Sequence, residues 1–273
     1  MEKLGLLAGV GTLPVECARA ARELGYEVYS IALLKDTDKR LAEFSNDFTE
    51  ISVMKVGKIL SYLKKNDIHK VTMLGKVTKE LLLAGKFIPD LKAMQILWKL
   101  PDRKDDTIMN ALVKELENIG AKVCDQTELL RPLMPKAGVL TKRKPTNNEL
   151  KDMEFGFYMA REIGRMDVGQ TVVVKNMAVM ALEAIEGTDE CIKRGGRLAR
   201  DGAVVAKVAK PLQDNRFDVP AVGLTTLKSM LEVGAKALVI EAGATLLAER
   251  EEVLALANEN NVTIVAMDEP KKA

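Results

Sequence analysis

Histidine is almost missing from this chain: His69 is the only one in 273 residues. Within one chain that excludes a histidine-rich zinc site. A Ser-His-Asp triad would have to use a residue standing just before an expected strand at 70–74, and His69 is read as a structural or surface residue. Cysteine is scarce as well. Cys17, Cys124 and Cys191 are far apart, with no C-x-x-C and no metal-like spacing, and read as small buried hydrophobes in a reducing cytoplasm. Aromatic residues make up only 4%, which removes the stacking platforms of single-strand binders, and a net charge of +2 gives no field toward nucleic acid. No apolar run reaches the roughly 18 residues that a membrane span needs. The opening M-E-K-L-G-L-L-A-G has too short an apolar part for a signal peptide and reads as a first strand. The chemistry is left to carboxylates, lysines, arginines and a hard metal ion.

Apolar residues (47%) and charged residues (29%) stand in the proportions of a soluble globular protein, and the length suits one large or two ordinary domains. Strand-like and helix-like segments alternate from the start. Residues 3–8 form a strand, 14–24 a helix with Pro14 in its first turn, and 26–34 a second strand. Strands over 48–53, 71–74 and 121–124 follow, with helices over 56–65 and 108–119 between them. The pattern predicts a Rossmann-like parallel sheet domain over 1–132, with ligands at the carboxyl ends of its strands. Gly9, Gly11, Gly75 and Lys76 fall at that edge. The Gly9-x-Gly11 turn leaves three readings open: a phosphate contact, a purely structural turn, or a dinucleotide site. Against the last, Pro14 replaces the third glycine and Leu33-Leu34-Lys35 ends the second strand without an acid.

Residues 80–100 are the most apolar stretch outside the strands and hold the only tryptophan, Trp98. They read as helices packed on the sheet or as a wall touching lipid. Asp105 or Asp106, after Lys104, is placed to cap the next helix. Residues 133–148, with prolines, Gly138 and the basic Lys142-Arg143-Lys144, read as a tether. A second α/β domain with a mixed sheet is expected over 149–273: helices at 149–166, 190–198, 225–232 and 249–258, and strands at 170–175, 178–185, 204–208, 237–241 and 262–267. No internal repeat is visible.

Two loops of this second half carry acids after a strand. Glu186-Gly187-Thr188-Asp189 places acids around a helix start, and residues 204–223 carry Lys207, Lys210, Gln213, Asp214, Arg216 and Asp218 between strand and turn. Carboxylates of this kind are hard ligands suited to Mg²⁺ together with substrate phosphates. Lys207, Lys210 and Arg216 suit phosphate oxygens. Residue types therefore point to a nucleotide diphosphate handled by two phosphate-friendly half sites.

Several motifs together resemble one family. They are L-G-L-L-A-G-V-G-T-L-P (4–14), Val56-Gly57-Lys58, M-L-G-K-V (73–77), K-D-D (104–106), A-R-E-I-G-R-M-D-V-G-Q-T-V-V-V (160–174), E-A-I-E-G-T-D (183–189), K-P-L-Q-D-N-R-F-D-V-P-A-V-G (210–223) and E-A-G (241–243). In order and over nearly the whole chain, they are similar to the UDP-2,3-diacylglucosamine pyrophosphatases of the LpxI type. The resemblance implies Mg²⁺-dependent hydrolysis of that lipid to UMP and 2,3-diacylglucosamine 1-phosphate, with substrate held between two α/β domains. It marks Asp218, the acid of R-x-D-x-P, above Asp214. Residue chemistry adds Asp189 and Glu186 as catalytic acids, Asp189 with Asp218 as metal ligands, and Gly9, Gly11, Gly75, Lys76, Thr188, Lys207, Lys210, Gln213 and Arg216 as substrate contacts. The implied place is the cytoplasm, with contact to an inner-membrane surface and a homodimer both left open. A nucleotide-dependent oxidoreductase and a non-catalytic lipid or nucleotide carrier are the rival readings.

Overall fold

The computed structural model describes residues 1–77, 88–102, 105–211 and 214–270, with the side chains of 105 and 106 left aside. The cap expected at Asp105 or Asp106, Lys104, Gln213 and residues 80–87 of the apolar stretch 80–100 therefore lie outside the described residues. Two units are distinguished: Met1–Leu130 with Asn215–Phe217, and Arg131–Asp214 with Asp218–Ala273. Residues 133–148, expected as a tether, are counted with the second unit.

The first unit is a five-stranded parallel sheet in the order β3-β2-β1-β4-β5. Its strands are β1 Lys3–Ala8, β2 Glu27–Ala32, β3 Asp47–Glu50, β4 Lys70–Leu74 and β5 Lys122–Val123. Its helices are α1 Leu13–Glu23, α2 Val56–Lys65, α3 Leu91–Lys99, α4 Asp105–Asn118 and α5 Gln126–Leu130. Strands buried on both faces read as continuous apolar runs. β1 shows this, with Leu4, Leu6, Leu7 and Ala8 all buried. Alternation sorts them: Leu7 joins Ile31, Val71 and Met73 in a core closed by Ile59, Leu63 and Leu116 from α2 and α4. The chain order reverses direction between β1 and β4, the switch point where open α/β sheets leave a crevice at their carboxyl ends. His69 lies at the opposite, amino end of β4, its ring nitrogens 3.0 Å from Asp67 Oδ1 and 3.2 Å from the Gly120 carbonyl. It is exposed there, in line with its reading as a structural or surface residue.

The second unit carries a six-stranded mixed sheet in the order β6-β13-β11-β9-β7-β8. These are β6 Gly138–Val139, β7 Thr171–Lys175, β8 Ala178–Leu182, β9 Val204–Lys207, β11 Ala237–Glu241 and β13 Thr263–Met267. β9, β11 and β13 run parallel, while β7, β8 and β6 pair antiparallel. A separate two-stranded ladder joins β10 Ala221–Val222 to β12 Leu246–Leu247. The helices are α6 Asn147–Arg165, α7 Thr188–Ala199, α8 Leu224–Glu232 and α9 Arg250–Glu259. Strict alternation gives this sheet two cores. Val172, Val174, Val204, Ala206, Ala237 and Val239 face Met153, Phe157 and Ala160 of α6. Val173, Val205, Leu238 and Ile240 face Ile192, Leu227 and Met230 of α7 and α8.

Local signals explain the ends of these elements. Thr146 and Glu149 form a capping box on α6, each satisfying a backbone N–H of the other's residue. The β7–β8 connection needs positive φ at both Asn176 and Met177, and the buried Asp152 of α6 accepts both their N–H groups at 2.9 and 2.6 Å. The three cysteines are buried as expected, and burial pushes the Cys17 and Cys191 thiols up to about 12.

Candidate functional site

The first unit's strand-end loops meet backbone to backbone. Gly9 N–H donates to the Leu74 carbonyl at 2.7 Å, and Val10 and Lys76 exchange bonds at 2.9 and 2.8 Å. A Cβ on Gly9 would stand 2.7 Å from the Lys76 carbonyl oxygen, and one on Gly75 would stand 2.8 Å from the Gly9 carbonyl carbon. Gly9 and Gly75 thus serve a close backbone approach at the switch point. Gly11 differs: its φ is +114° and its Cβ position meets open space. It precedes α1, whose N-cap residue Thr12 makes no side-chain cap bond. Backbone N–H groups of an uncapped helix start suit an anion. Lys76, bridged through its backbone to Val10, is exposed.

The second unit gathers its polar groups along one sheet edge. Register sets Thr171 beside Lys207, Lys207 beside Ile240, and Glu241 beside Met267. The ends of three parallel strands and the start of β7 therefore share that edge. Lys207 is only 7% exposed. Its ammonium donates to Thr188 Oγ1 at 3.0 Å and to the Ala221 carbonyl at 2.9 Å. Thr188 in turn donates to Glu183 Oε1 at 2.8 Å.

Lys210 sits further along the same chain, 2.8 Å from Asp167 Oδ1 and 3.6 Å from Asp218 Oδ2. The chain before it is pinned by Glu241, which accepts the Ala209 N–H at 2.9 Å while Arg161 donates to the Ala209 carbonyl at 3.2 Å. Arg161 also pairs with Glu241 at 3.1 Å and Glu269 at 2.9 Å. Burial, with Glu269 nearby, pushes the Glu241 carboxyl up, against the pull of the Ala209 N–H and Arg161.

The other expected residues separate. Arg216 belongs to the first unit, with Nη2 3.1 Å from Asn110 Oδ1 and Nη1 3.7 Å from Glu117. Glu186 is held by Arg194, which keeps its carboxyl below the usual range, and it also accepts the Ala184 N–H at 3.2 Å. With Glu190 and Arg197 it lines a cavity of about 490 Å³. Asp189 lies in the first turn of α7, beside Thr188.

Among the described residues no three His, Cys, Asp or Glu side chains are grouped to hold a metal. That donor set does not make a preformed cage. It does fit a cation bound by one or two carboxylates and completed by substrate phosphates, Asp218 being 37% exposed at its side chain. Sequence reasoning missed Glu183, Asp167, Arg161 and Glu241. All four lie inside the motifs quoted above, but only the fold shows which side chains meet.

The chain is thus a two-unit α/β protein whose candidate chemistry stands on strand-end loops. The LpxI N-terminal domain model matches residues 3–133 and the LpxI C-terminal domain model residues 136–265. The chain belongs to the LpxI family. It is 31% identical to the UDP-2,3-diacylglucosamine pyrophosphatase LpxI of Caulobacter vibrioides over 98% of both chains. It is 26% identical to the bifunctional purine biosynthesis protein PurH of Sinorhizobium fredii, over 94% of this chain but only 44% of that protein. Among solved structures, glycinamide-RNase-transformylase T of Mycobacterium tuberculosis aligns with 50% of this chain and 38% of its own, at a TM-score of 0.28 and 12% identity.

Proposed function

We propose that this protein hydrolyses the pyrophosphate bond of UDP-2,3-diacylglucosamine, releasing UMP and 2,3-diacylglucosamine 1-phosphate. The carrying observation is the end-to-end likeness to the Caulobacter pyrophosphatase, 98% of both chains. The geometry supports it: a buried lysine, Lys207, and a second, Lys210, stand on a strand edge with carboxylates beside them. Two such cations neutralise diphosphate oxygens. Within the first unit, the exposed Lys76 and the N–H groups after Gly11 suit a phosphate. Asp218 and Asp189 would hold Mg²⁺. When bound, the cation stabilises charge on the phosphate oxygens and lowers the pKa of a bound water. Asp218, 3.6 Å from Lys210, is the acid assigned to take a proton from the attacking water.

Purified protein incubated with the lipid and Mg²⁺ is expected to yield both products. A chelator stops the reaction and added Mg²⁺ restores it. A folded protein that forms neither product sinks the activity, and undiminished turnover in chelator sinks the metal.

The acylated substrate also brings the protein to a bilayer, and we place that contact on the first unit. Leu91, Met94 and Trp98 recur at helical spacing on α3 and are exposed, Trp98 by 90%. An amphipathic face with Trp suits the lipid interface. No helix among the described residues is long and apolar enough to cross a membrane. In vesicle sedimentation, Trp98→Ala should reduce the bound fraction several-fold; equal binding would remove this face from the proposal.

A further inference from the structure

Lys207 is held by more than its neighbours in sequence. Its ammonium donates to the Thr188 hydroxyl at 3.0 Å. A hydroxyl has one proton, and here Thr188 gives it to Glu183 Oε1 at 2.8 Å. The hydroxyl therefore turns a lone pair toward Lys207. Its polarity is set by Glu183, an acid only 8% exposed.

Glu183 is itself fixed from several sides. Its second carboxylate oxygen accepts the Gln170 N–H at 3.1 Å, and its own N–H donates to the Thr171 carbonyl at 2.9 Å. Gly169 packs so close that a Cβ there would stand 2.3 Å from the Glu183 carbonyl oxygen. A buried carboxylate is costly unless it is bonded and balanced by charge. Here the bonds come from Gln170 and Thr188, and the balancing charge is the Lys207 ammonium, one hydroxyl away.

We propose that Glu183 is a positioning residue for the pyrophosphatase reaction: through Thr188 it orients the Lys207 ammonium at the sheet edge toward the substrate's phosphates. The inference rests on the function proposed above. Glu183→Gln keeps the side chain's size, but its amide can donate to Thr188 and reverse the hydroxyl, turning a proton toward Lys207. Thr188→Val removes the link and leaves Glu183 in place.

The test pairs steady-state kinetics with ¹⁵N NMR of the lysine ammonium groups, the Lys207 signal being assigned by its loss in Lys207→Met. For Glu183→Gln and Thr188→Val, with melting temperatures near wild type, kcat/KM is expected to fall about 10- to 100-fold, the range for groups that orient a functional residue. The Lys207 signal should shift in both while the other lysines stay. The double variant should be no worse than the worse single, as for residues in one chain of contacts.

Folded variants with unchanged kcat/KM, or an unmoved Lys207 signal, overturn the proposal. Should Glu183→Gln fail to fold, Thr188→Val carries the same two readouts. Should the wild type lack pyrophosphatase activity, the function falls and positioning for catalysis falls with it; a Lys207 shift would then show only that the hydrogen-bond chain exists.

Discussion

Asp218→Ala should lower kcat by about 10²- to 10⁴-fold, the span for removing a general base, and leave the fold almost untouched. The two halves of this expectation rest on different observations. The catalytic half follows from the family's R-x-D-x-P motif and from the position of Asp218 beside Lys210, 3.6 Å away. The stability half follows from exposure. Asp218 has 37% of its side chain in solvent, and Lys210 keeps a closer partner in Asp167 at 2.8 Å. A partly exposed pair as long as 3.6 Å is worth about 1 kcal/mol, so melting should shift by only a few degrees. Asp218→Asn sharpens the test, because it keeps the shape and removes the charge. If the asparagine variant turns over at the wild-type rate, neither a metal-ligand role nor a base role survives. A lost fold would mean that the acid is structural, which thermal unfolding read beside kcat would reveal.

Much of the frame was legible from periodicity. Continuous apolar runs at 3–8 and 237–241 announced buried parallel strands, and helical spacing at 56–65 announced α2 to the residue. Of the two-residue strands, β5 was legible within 121–124, but β6, β10 and β12 were not. β6, β10 and β12 are too short to carry a period, and their pairing is decided by strands remote in sequence. The site divides in the same way. Lys207 was readable as a charge at a strand end. Its burial, and its link through Thr188 to Glu183, depend on β7, β8, α7 and β9 meeting, which no local pattern states. Glu186 and Glu183 look alike in the stretch E-A-I-E-G-T-D. The fold gives the first to Arg194 and the second to Thr188. Arg216 follows Lys207 and Lys210 closely in sequence, yet it reaches Asn110 and Glu117 of the first unit.

Gly9→Ala should destabilise the first unit by about 3 kcal/mol, at the upper end of overpacking, lowering melting by several degrees. The G-x-G pattern suggests that both glycines do the same work, and the structure separates them. At Gly9 the backbone conformation is open to any residue, so the cost is purely steric. The added carbon would stand 2.7 Å from the Lys76 oxygen, 2.8 Å from the Gly75 carbonyl carbon and 2.9 Å from the Gly75 oxygen. All three are backbone atoms, so no rotamer change relieves the clash. The strand-end loops of β1 and β4 must move apart, which strains the bonds between Val10 and Lys76. At Gly11 the balance reverses. Nothing lies within 4 Å of a Cβ there, and the cost is the +114° φ alone, about 1–3 kcal/mol for a non-glycine residue in a sparsely populated region. Urea unfolding of the two alanine variants, followed by a probe in the first unit, should order them with Gly9→Ala the less stable. Equal stability to wild type at Gly9 would mean that the close approach of the two loops is not kept in solution. The phosphate-binding reading of the turn would then have to rest on Gly11 and the start of α1 without that support.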